Sequence, residues 1–366
     1  MPTIKDSNAR SQQYIMGKHP GVHFLADILD ITSKAAQIKC GDFSNPEMFR
    51  LLKDQSAILP SAWCLQHRAI CPLQGPDADG SGSPCQDFSR SGGLHGLSGK
   101  TVVCFVTWAR FHTWWATKLI MHENVQGFPI WFARVHLSDF CIYPIDVHPG
   151  DAGFPLVERY RQYLLCVNRR TAELTYDIYA LYNYVKAKLA TDLTPKDAVF
   201  SGPTEIRQEE RDICQVRRFP VRSFTLPQDL FYTLSFNERA YVDRLNTLYM
   251  LKFGKRPETD QDLVYNLADN PVDRTSWSAT SGKIPTLRRN SNRLYFPFHR
   301  RCLTRTERLA LMGYPSHRAL ADACGSVEVT SMTGSEQAFL LGNAMHMPCA
   351  TMIFTIGCAC VKAKPL

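Results

Sequence analysis

The stretch Gly82-Ser83-Pro84-Cys85-Gln86-Asp87-Phe88-Ser89 places a cysteine directly after a proline, with small residues in front of both. The proline ring restricts the backbone that carries the sulfur, and the glycine leaves room for a flat substrate to approach. A lone cysteine is more often a small core residue than a nucleophile. Pro84 and Gln86 on either side of Cys85 favour the reactive interpretation.

The segments around this stretch alternate between helix and strand patterns. The apolar run from Thr101 to Thr117 predicts a helix, and residues 119–121 and 163–167 predict buried strands. Such alternation predicts an α/β domain with a largely parallel sheet. Open α/β sheets bind ligands beyond the carboxyl ends of their strands, which is where Cys85 and Glu123 are expected.

The other segments have weaker patterns. Residues 23–28 predict a short buried strand that ends at an acid, and the Gly-, Pro- and Ser-rich residues 74–83 predict a loop. Apolar residues three or four positions apart predict a helix over 171–190. Thr304, with Glu307 three residues later, predicts the capping box of a further helix, and a final helix is predicted from Pro348 into the 350s.

Several polar residues follow one another in an order that suits chemistry on a cytosine ring. Adding a thiolate at C6 makes C5 nucleophilic, so the reaction needs a cysteine and a group that stabilises charge at N3. Cys85 and Glu123 fit these two roles. Arg159 and Arg161 alternate on an extended segment, so both are expected to point to one side. There they can hold the ring oxygen O2 and favour the thiolate.

This order, with Leu341-Gly342-Asn343-Ala344 near the end of the chain, resembles the DNA cytosine-5 methyltransferase family. The resemblance covers residues 20 to 165 and 285 to 357. It implies an α/β, Rossmann-like fold that uses S-adenosylmethionine as methyl donor, without a metal. It implies catalytic roles for Cys85, Glu123, Arg159 and Arg161, donor contacts from Asp27, Ile28, Pro84, Asn343 and Ala344, and substrate contacts from Gln86, Ser89, Asn124 and Val125.

The resemblance also implies a division of the chain. Residues 1–167 are expected to form a catalytic domain, 168–284 a smaller target recognition region, and 285–366 a return to the catalytic domain. Arginines and lysines spread among aromatic residues over 168–284 predict phosphate contacts with double-stranded DNA.

The sequence departs from the family pattern at its start. The family's Phe-x-Gly-x-Gly loop and the acid for the donor's ribose have no counterpart before Asp27. Leu156 also stands at the position, shortly before Arg159 and Arg161, where the family usually has a glutamine. We therefore expect an N-terminally truncated fold that lacks its first strand, first helix and second strand, and that binds the donor poorly. The alternatives are a catalytically impaired DNA-binding relative and a tRNA cytosine-5 methyltransferase.

Composition is consistent with these expectations. The chain of 366 residues has 45% hydrophobic and 21% charged residues, which is typical of a globular protein. Its net charge of +8 suits a polyanionic partner. The polar start and the absence of a long apolar run predict an intracellular protein, nuclear in a eukaryote, with no membrane span. A monomer is expected.

The thirteen cysteines are scattered and form no CxxC pair, which indicates reduced thiols. Cys64, His67 and Cys71 have spacings compatible with part of a zinc site. Unrelated loop residues are the favoured interpretation, because the sequence offers no evident fourth ligand.

Overall fold

A computed structural model describes residues 3–5, 16, 21–33, 57–89, 93–222, 229–288, 293–316, 318–323 and 341–365. The chain forms two compact units. The first contains Met1–Val147, Tyr160–Val185 and Ala350–Leu366, and the second contains His148–Arg159 and Lys186–Cys349. The predicted division at 167/168 and 284/285 follows chain order and stays a prediction.

The strands are short, and most belong to the first unit. They are β1 Thr3–Lys5, β2 His23–Leu25, β3 Ser61–Cys64, β4 Ala69–Pro72, β5 Ala78–Gly82, β6 Leu119–Asn124, β7 Phe140–Val147, β8 Arg161–Asn168, β9 Ala172–Leu174, β10 Tyr265–Asn266, β11 Leu294–Phe296, β12 Arg301–Cys302 and β13 Val361–Ala363.

The α-helices are connected by 3-10 turns and loops. They are α1 Val102–Trp114, α2 Ile130–His136, α3 Ile178–Leu189, α4 Pro203–Arg217, α5 Phe236–Phe253, α6 Arg305–Leu311, α7 Arg318–Ala323 and α8 Met347–Cys360. Among the described residues, none of these helices is long and apolar enough to cross a membrane.

The main sheet of the first unit has four strands in the order β5-β6-β8-β7. The expected α/β class is confirmed, but the expectation of a largely parallel sheet is wrong. Among the described strands of this sheet, only β5 and β6 pair in parallel, whereas β8 is antiparallel to both β6 and β7. Residues 148–160, which join β7 to β8, contain no α-helix to form a crossover, and such a connection suits an antiparallel return.

Alternate residues of the sheet face different helices. Ile120 of β6 and Leu164 and Cys166 of β8 share a buried cluster with Val106 and other residues of α1. Their neighbours point the other way, because side chains alternate along a strand. A Cβ built on Gly357 of α8 would lie 2.9 Å from the Leu165 side chain and 3.2 Å from that of Leu119. The sheet is therefore covered by α1 on one face and by α8 on the other.

Some local predictions are confirmed and others are wrong. The predicted helix 101–117, the strands at 119 and 163, and the final helix correspond to α1, β6, β8 and α8. Residues 78–82 form β5 rather than a loop, since they pair in register with β6. Residues 172–174 form β9, which pairs with β13, so the helix predicted from 171 begins only at Ile178.

The start of the chain contains an element that the sequence did not predict. Strand β1 pairs in parallel with β2, which is the predicted strand before Asp27. Residues 6–15 and 17–20, between these two strands, lie outside the described part of the chain.

The second unit has its own core. Leu245 and Tyr249 of α5 pack with Leu263, Tyr265 and Tyr295 around the β10-β11-β12 sheet. The capping box predicted at Thr304 is confirmed, since its hydroxyl accepts from the backbone N–H of Glu307 at the start of α6.

Candidate active site

The cysteine stretch leaves the main sheet where two parallel strands end. The register pairs Gly82, the last residue of β5, with Glu123 of β6. Cys85 follows three residues later, at the start of a 3-10 helix formed by Gln86–Phe88. The placement of Cys85 and Glu123 at one edge of the sheet, which the sequence predicted, is confirmed.

The loop that carries Cys85 is fastened to β6 through Ser83. The Ser83 hydroxyl lies 2.9 Å from Nε2 of His122, and the Asn124 amide donates to the same hydroxyl at 3.0 Å. His122 and Asn124 are both buried. They lie two residues apart on β6, so they present their side chains to the same face of the sheet. These contacts fix the backbone of the residue that precedes Pro84.

A second anchor joins the loop to helix α1. The buried carboxylate of Asp87 accepts hydrogen bonds from the backbone N–H and the hydroxyl of Thr101, the residue that precedes α1. A Cβ on Gly99 would lie 1.9 Å from the Asp87 carboxyl carbon, so only glycine fits there. The cysteine is therefore held between β6 on one side and the start of α1 on the other.

A largely buried polar cluster joins β5 to helix α1. The Asp79 carboxylate accepts from Ser81 at 2.8 Å and from the Trp108 indole at 3.2 Å, and it lies 3.3 Å from Nε2 of His112. Burial alone would raise the pKa of Asp79, but His112 and these hydrogen bonds hold it well below its ordinary value. The sequence analysis missed this cluster, although Asp79, Ser81 and Ser83 alternate as strand residues do.

Glu123 faces the opposite side of β6 from His122 and pairs with an arginine. Because Glu123 is registered with Tyr163 of β8, Arg161 is its diagonal neighbour on the same face. Nε of Arg161 lies 3.0 Å from the Glu123 carboxylate, and the two side chains are only 18% and 13% exposed. A charge-assisted contact of this kind fixes the direction in which the carboxylate points.

The second predicted arginine lies in the second unit. Arg159 is 4% exposed and donates to the carbonyl oxygen of Ala344 at 2.6 Å. The structure thus brings together two predicted site residues that are 185 positions apart. Asn343, next to Ala344, is exposed. The expectation that Arg159 and Arg161 point to one side stays a prediction, since the boundary between the units falls between them.

Asp27 and Ile28 follow β2, beyond its carboxyl end. One oxygen of Asp27 accepts from the backbone N–H of Leu29 at 2.9 Å and so caps the 3-10 helix Ile28–Ile31. Ile28 is half-buried against the cluster that contains α1. A carboxylate has room for further donors, so this cap is compatible with a hydrogen bond from a ligand amino group.

The remaining predicted residues lie within a few positions of Cys85 or Glu123 in the chain. Pro84 and Gln86 are exposed, and the Ser89 hydroxyl donates to the Gln86 carbonyl. The Val125 backbone donates to the side chain of Asn124. Asn124 itself is buried against Ser83, which gives it a positioning role for the loop. Direct contacts of these residues with a substrate stay predictions.

His122 is expected to make stability depend on pH. Burial lowers its pKa to about 3, although Asp79 acts in the opposite direction. In the unfolded chain a histidine titrates near 6.5. The unfolded state therefore binds one more proton between these values, and the free energy of unfolding should decrease as pH falls from about 6.5 toward about 3.

Replacing the titrating group tests this expectation. In His122→Gln the slope of unfolding free energy against pH in that window should fall by about 1.4 kcal/mol per pH unit. Denaturant unfolding at a series of pH values measures the slope. His95 is exposed in the same unit, so His95→Gln is the matched control and should keep the wild-type slope. An unaltered slope in His122→Gln would show that the imidazole is not held neutral by the fold.

Comparison with known proteins gave likenesses only among solved structures. No protein-family model matches the chain, and no curated protein sequence matches it significantly. A candidate DNA modification methyltransferase encoded within a prophage, from E. coli, is 15% identical over 98% of this chain and 92% of its own, with a TM-score of 0.49. The S. pombe Dnmt2 methyltransferase is 13% identical over 97% and 89%, also with a TM-score of 0.49. EhMeth, a methyltransferase of Entamoeba histolytica, is 12% identical over 98% and 88%, with a TM-score of 0.48.

These likenesses have TM-scores below 0.5 and identities of at most 15%. The expectation that the first strands of the fold are missing gains no support from the comparisons.

Proposed function

We propose that this chain is a cytosine-5 methyltransferase that acts on DNA through a covalent cysteine adduct. The observation that carries the proposal is the register of Gly82 with Glu123 at the ends of two parallel strands. It gives a proline-flanked cysteine and a half-buried, arginine-paired acid a common edge of the sheet. That combination suits addition to a pyrimidine ring, which needs a thiolate and a group that stabilises the charge developing at N3.

Cys85 would act as the nucleophile. Its thiolate forms a bond to C6 of the cytosine, and the electrons of the C5–C6 double bond become available at C5. After C5 has gained its methyl group it loses a proton, the S–C6 bond breaks, and the thiolate is regenerated. Ser83 and Asp87, which fasten the loop to β6 and to α1, would keep the sulfur in place through these steps.

Glu123 would hold the edge of the base that contains N3. A hydrogen bond there is strongest when the addition places charge on the ring, so it lowers the barrier rather than only improving binding. Arg161 would orient Glu123 through their 3.0 Å contact. Because both side chains are largely shielded from water, this interaction is stronger than the same pair would be at an open surface.

The methyl donor would be S-adenosylmethionine, which supplies an electrophilic methyl group to C5. Asp27 is a suitable acceptor for the adenine amino group, since its carboxylate can accept more hydrogen bonds than the cap at Leu29 uses. Pro84 and Ile28 would contribute apolar contacts, as the family resemblance implies.

Double-stranded DNA is the proposed partner. The ion pairs of the second unit indicate which of its basic residues are available to bind phosphates. Many of its arginines already pair with carboxylates, so they are poor candidates for phosphate contacts: Arg217 and Arg293 with Glu238, Arg288 with Asp269, Arg300 with Asp229, and Arg301 with Glu307. Arg244, Lys252, Lys255 and Arg256, in and just after α5, are exposed and suit phosphates better.

The proposal is tested by methyl transfer to defined substrates. The full chain is incubated with isotopically labelled S-adenosylmethionine and duplex DNA, single-stranded DNA or tRNA, and the nucleosides are analysed by mass spectrometry. We expect 5-methylcytosine in duplex DNA, with binding that weakens steeply as salt rises. The double variant Lys255→Glu/Arg256→Glu should weaken binding, and Lys362→Glu, at an exposed site in β13, is the control. Methylation of tRNA alone would favour the RNA alternative, and label in no substrate would count against the proposed activity.

A further inference from the structure

Four potential metal ligands of the first unit lie close together. His23, Cys64, His67 and Cys71 each have a nitrogen or sulfur atom within 4.8 Å of those of the others. The sequence showed only the last three of these residues close together. His23 comes from β2, which is 41 residues earlier than Cys64 in the chain, so the fourth ligand could not be recognised from spacing.

The local fold explains why these side chains meet. Strands β3 and β4 form a hairpin in which Cys64 is registered with Ala69. Cys71 lies two residues beyond Ala69 and is therefore the diagonal neighbour of Cys64 on the same face. His67 lies in the turn between them. The backbone N–H of Leu65 donates to the carbonyl of Phe24 at 2.8 Å, which holds the hairpin against β2 and next to His23.

The distances from Nδ1 of His67 to the other three ligand atoms are close to those of a tetrahedral zinc site. Zn–N bonds of about 2.0–2.1 Å and Zn–S bonds of about 2.3 Å place the ligand atoms of such a site about 3.3–3.8 Å apart. Nδ1 of His67 lies 3.2 Å from Nδ1 of His23, 3.3 Å from Sγ of Cys64 and 3.5 Å from Sγ of Cys71. The three separations from Nδ1 of His67 therefore agree with those that a central ion would impose, and the other three are at most 4.8 Å.

Hydrogen bonds among the side chains do not account for this arrangement. A neutral imidazole Nδ1 has either one hydrogen or one lone pair, so that of His67 cannot satisfy three polar neighbours at once. A disulfide is also a poor explanation. Diagonal strand partners lie about 7–8 Å apart at their Cα atoms, whereas disulfides usually span about 4.4–6.8 Å. A cation between the four side chains is the simpler reason for their convergence.

We propose that His23, Cys64, His67 and Cys71 bind a structural Zn²⁺ ion. Two thiolates and two imidazoles are the ligand set that zinc prefers, and they do not suit Mg²⁺ or Ca²⁺, which prefer oxygen. Four protein ligands leave no open position, so the ion has a structural rather than a catalytic role. The backbone N–H of Phe24 donates to Sγ of Cys64 at 3.3 Å, and such a hydrogen bond stabilises the negative charge of a thiolate ligand.

The site would fix the segment that leads to Asp27. Residues of β2, β3 and the adjoining 3-10 helix share one small core, formed by Leu25, Ile31, Ile58, Ala62, Leu73 and Phe111. Small cores are often supplemented by a metal. His23 lies in β2, four residues before Asp27, so an ion bound to His23 would fix the position of β2 close to Asp27. This inference does not depend on the proposed methyl transfer.

Metal analysis of the reduced, full-length chain tests the proposal. Purified from zinc-supplemented medium, the wild type should contain one equivalent of zinc by mass spectrometry. After removal of zinc, titration with Co²⁺ should give the visible absorption of a tetrahedral site and a thiolate-to-metal charge-transfer band. Cys64→Ser should bind Co²⁺ at least about a hundredfold more weakly. Cys358 is exposed in α8, so Cys358→Ser is the matched control and should bind as the wild type does.

A conservative variant separates loss of ligation from loss of folding. His67→Cys should retain one equivalent of metal and gain charge-transfer intensity, because it replaces one zinc ligand by another. A folded, reduced wild type that neither retains zinc nor binds Co²⁺ would overturn the proposal. So would equal metal loss in Cys358→Ser and Cys64→Ser, or a thiol titration that finds Cys64 and Cys71 joined in a disulfide.

Discussion

Cys85→Ala is expected to abolish methyl transfer while leaving the fold and DNA binding intact. Without the sulfur no bond to C6 can form, and C5 of cytosine remains a poor nucleophile. The single-turnover rate should fall to below about one thousandth of the wild-type rate, as is typical when an enzyme loses its covalent nucleophile. Cys85 is half-buried in a loop, so its truncation to alanine should cost little stability.

The control for this variant is another cysteine of the first unit. Cys358 is exposed on α8 and has no part in the proposed chemistry. Cys358→Ala should therefore methylate at the wild-type rate under the same conditions. If Cys85→Ala retained more than a tenth of the wild-type rate, Cys85 would not be the nucleophile.

Glu123→Gln is expected to slow methyl transfer by about a hundredfold or more. The neutral amide keeps the size of the side chain, but it loses the charge that pairs with Arg161 and weakens the contact with N3 as charge develops on the ring. Since the lost interaction is made mainly in the transition state, the maximal rate should fall much more than the affinity for DNA. Single-turnover kinetics at saturating DNA, combined with equilibrium binding, separate the two effects.

Glu173 provides the matched control for this change. It is an exposed residue of β9 in the same unit. Glu173→Gln removes the same charge from the chain and should leave both rate and affinity unchanged. A Glu123→Gln variant with the wild-type single-turnover rate would remove Glu123 from the mechanism.

The sequence predicted the elements whose patterns are local. The apolar run of α1 and the buried strands β6 and β8 were recognisable because each has enough consecutive core residues to define a period. The capping box at Thr304 was recognisable because its two residues are three positions apart. The common edge of Cys85 and Glu123 followed from the carboxyl-end rule for parallel strands, which holds for β5 and β6.

The features that the sequence did not predict depend on pairing between distant residues. Strand β5 contains two glycines, a serine and an aspartate, a composition typical of a loop. It is a strand because β6 lies beside it and because His112 and Trp108 of α1 contact its half-buried Asp79. The antiparallel direction of β8 has no sequence signal of its own.

Pairing between distant residues also explains why the sequence did not predict the fourth ligand of the proposed zinc site or the ion pair between Glu123 and Arg161. His23 joins Cys64 only when the β3–β4 hairpin lies against β2. The pairing of Glu123 with Arg161 depends on the register of β6 with β8. Both arginines were identified from a short motif, but their contacts are with residues that no spacing rule connects to them.

The most direct test of the central claim is to trap the covalent intermediate. The full-length chain is incubated with S-adenosylmethionine and duplex DNA in which the target cytosines are replaced by 5-fluorocytosine, and the products are digested and analysed by peptide mass spectrometry. Fluorine at C5 prevents the proton loss that releases the enzyme. The proposed function predicts a cross-linked peptide that contains Cys85, and none in Cys85→Ala. An adduct at another residue, or one that persists in Cys85→Ala, would contradict it.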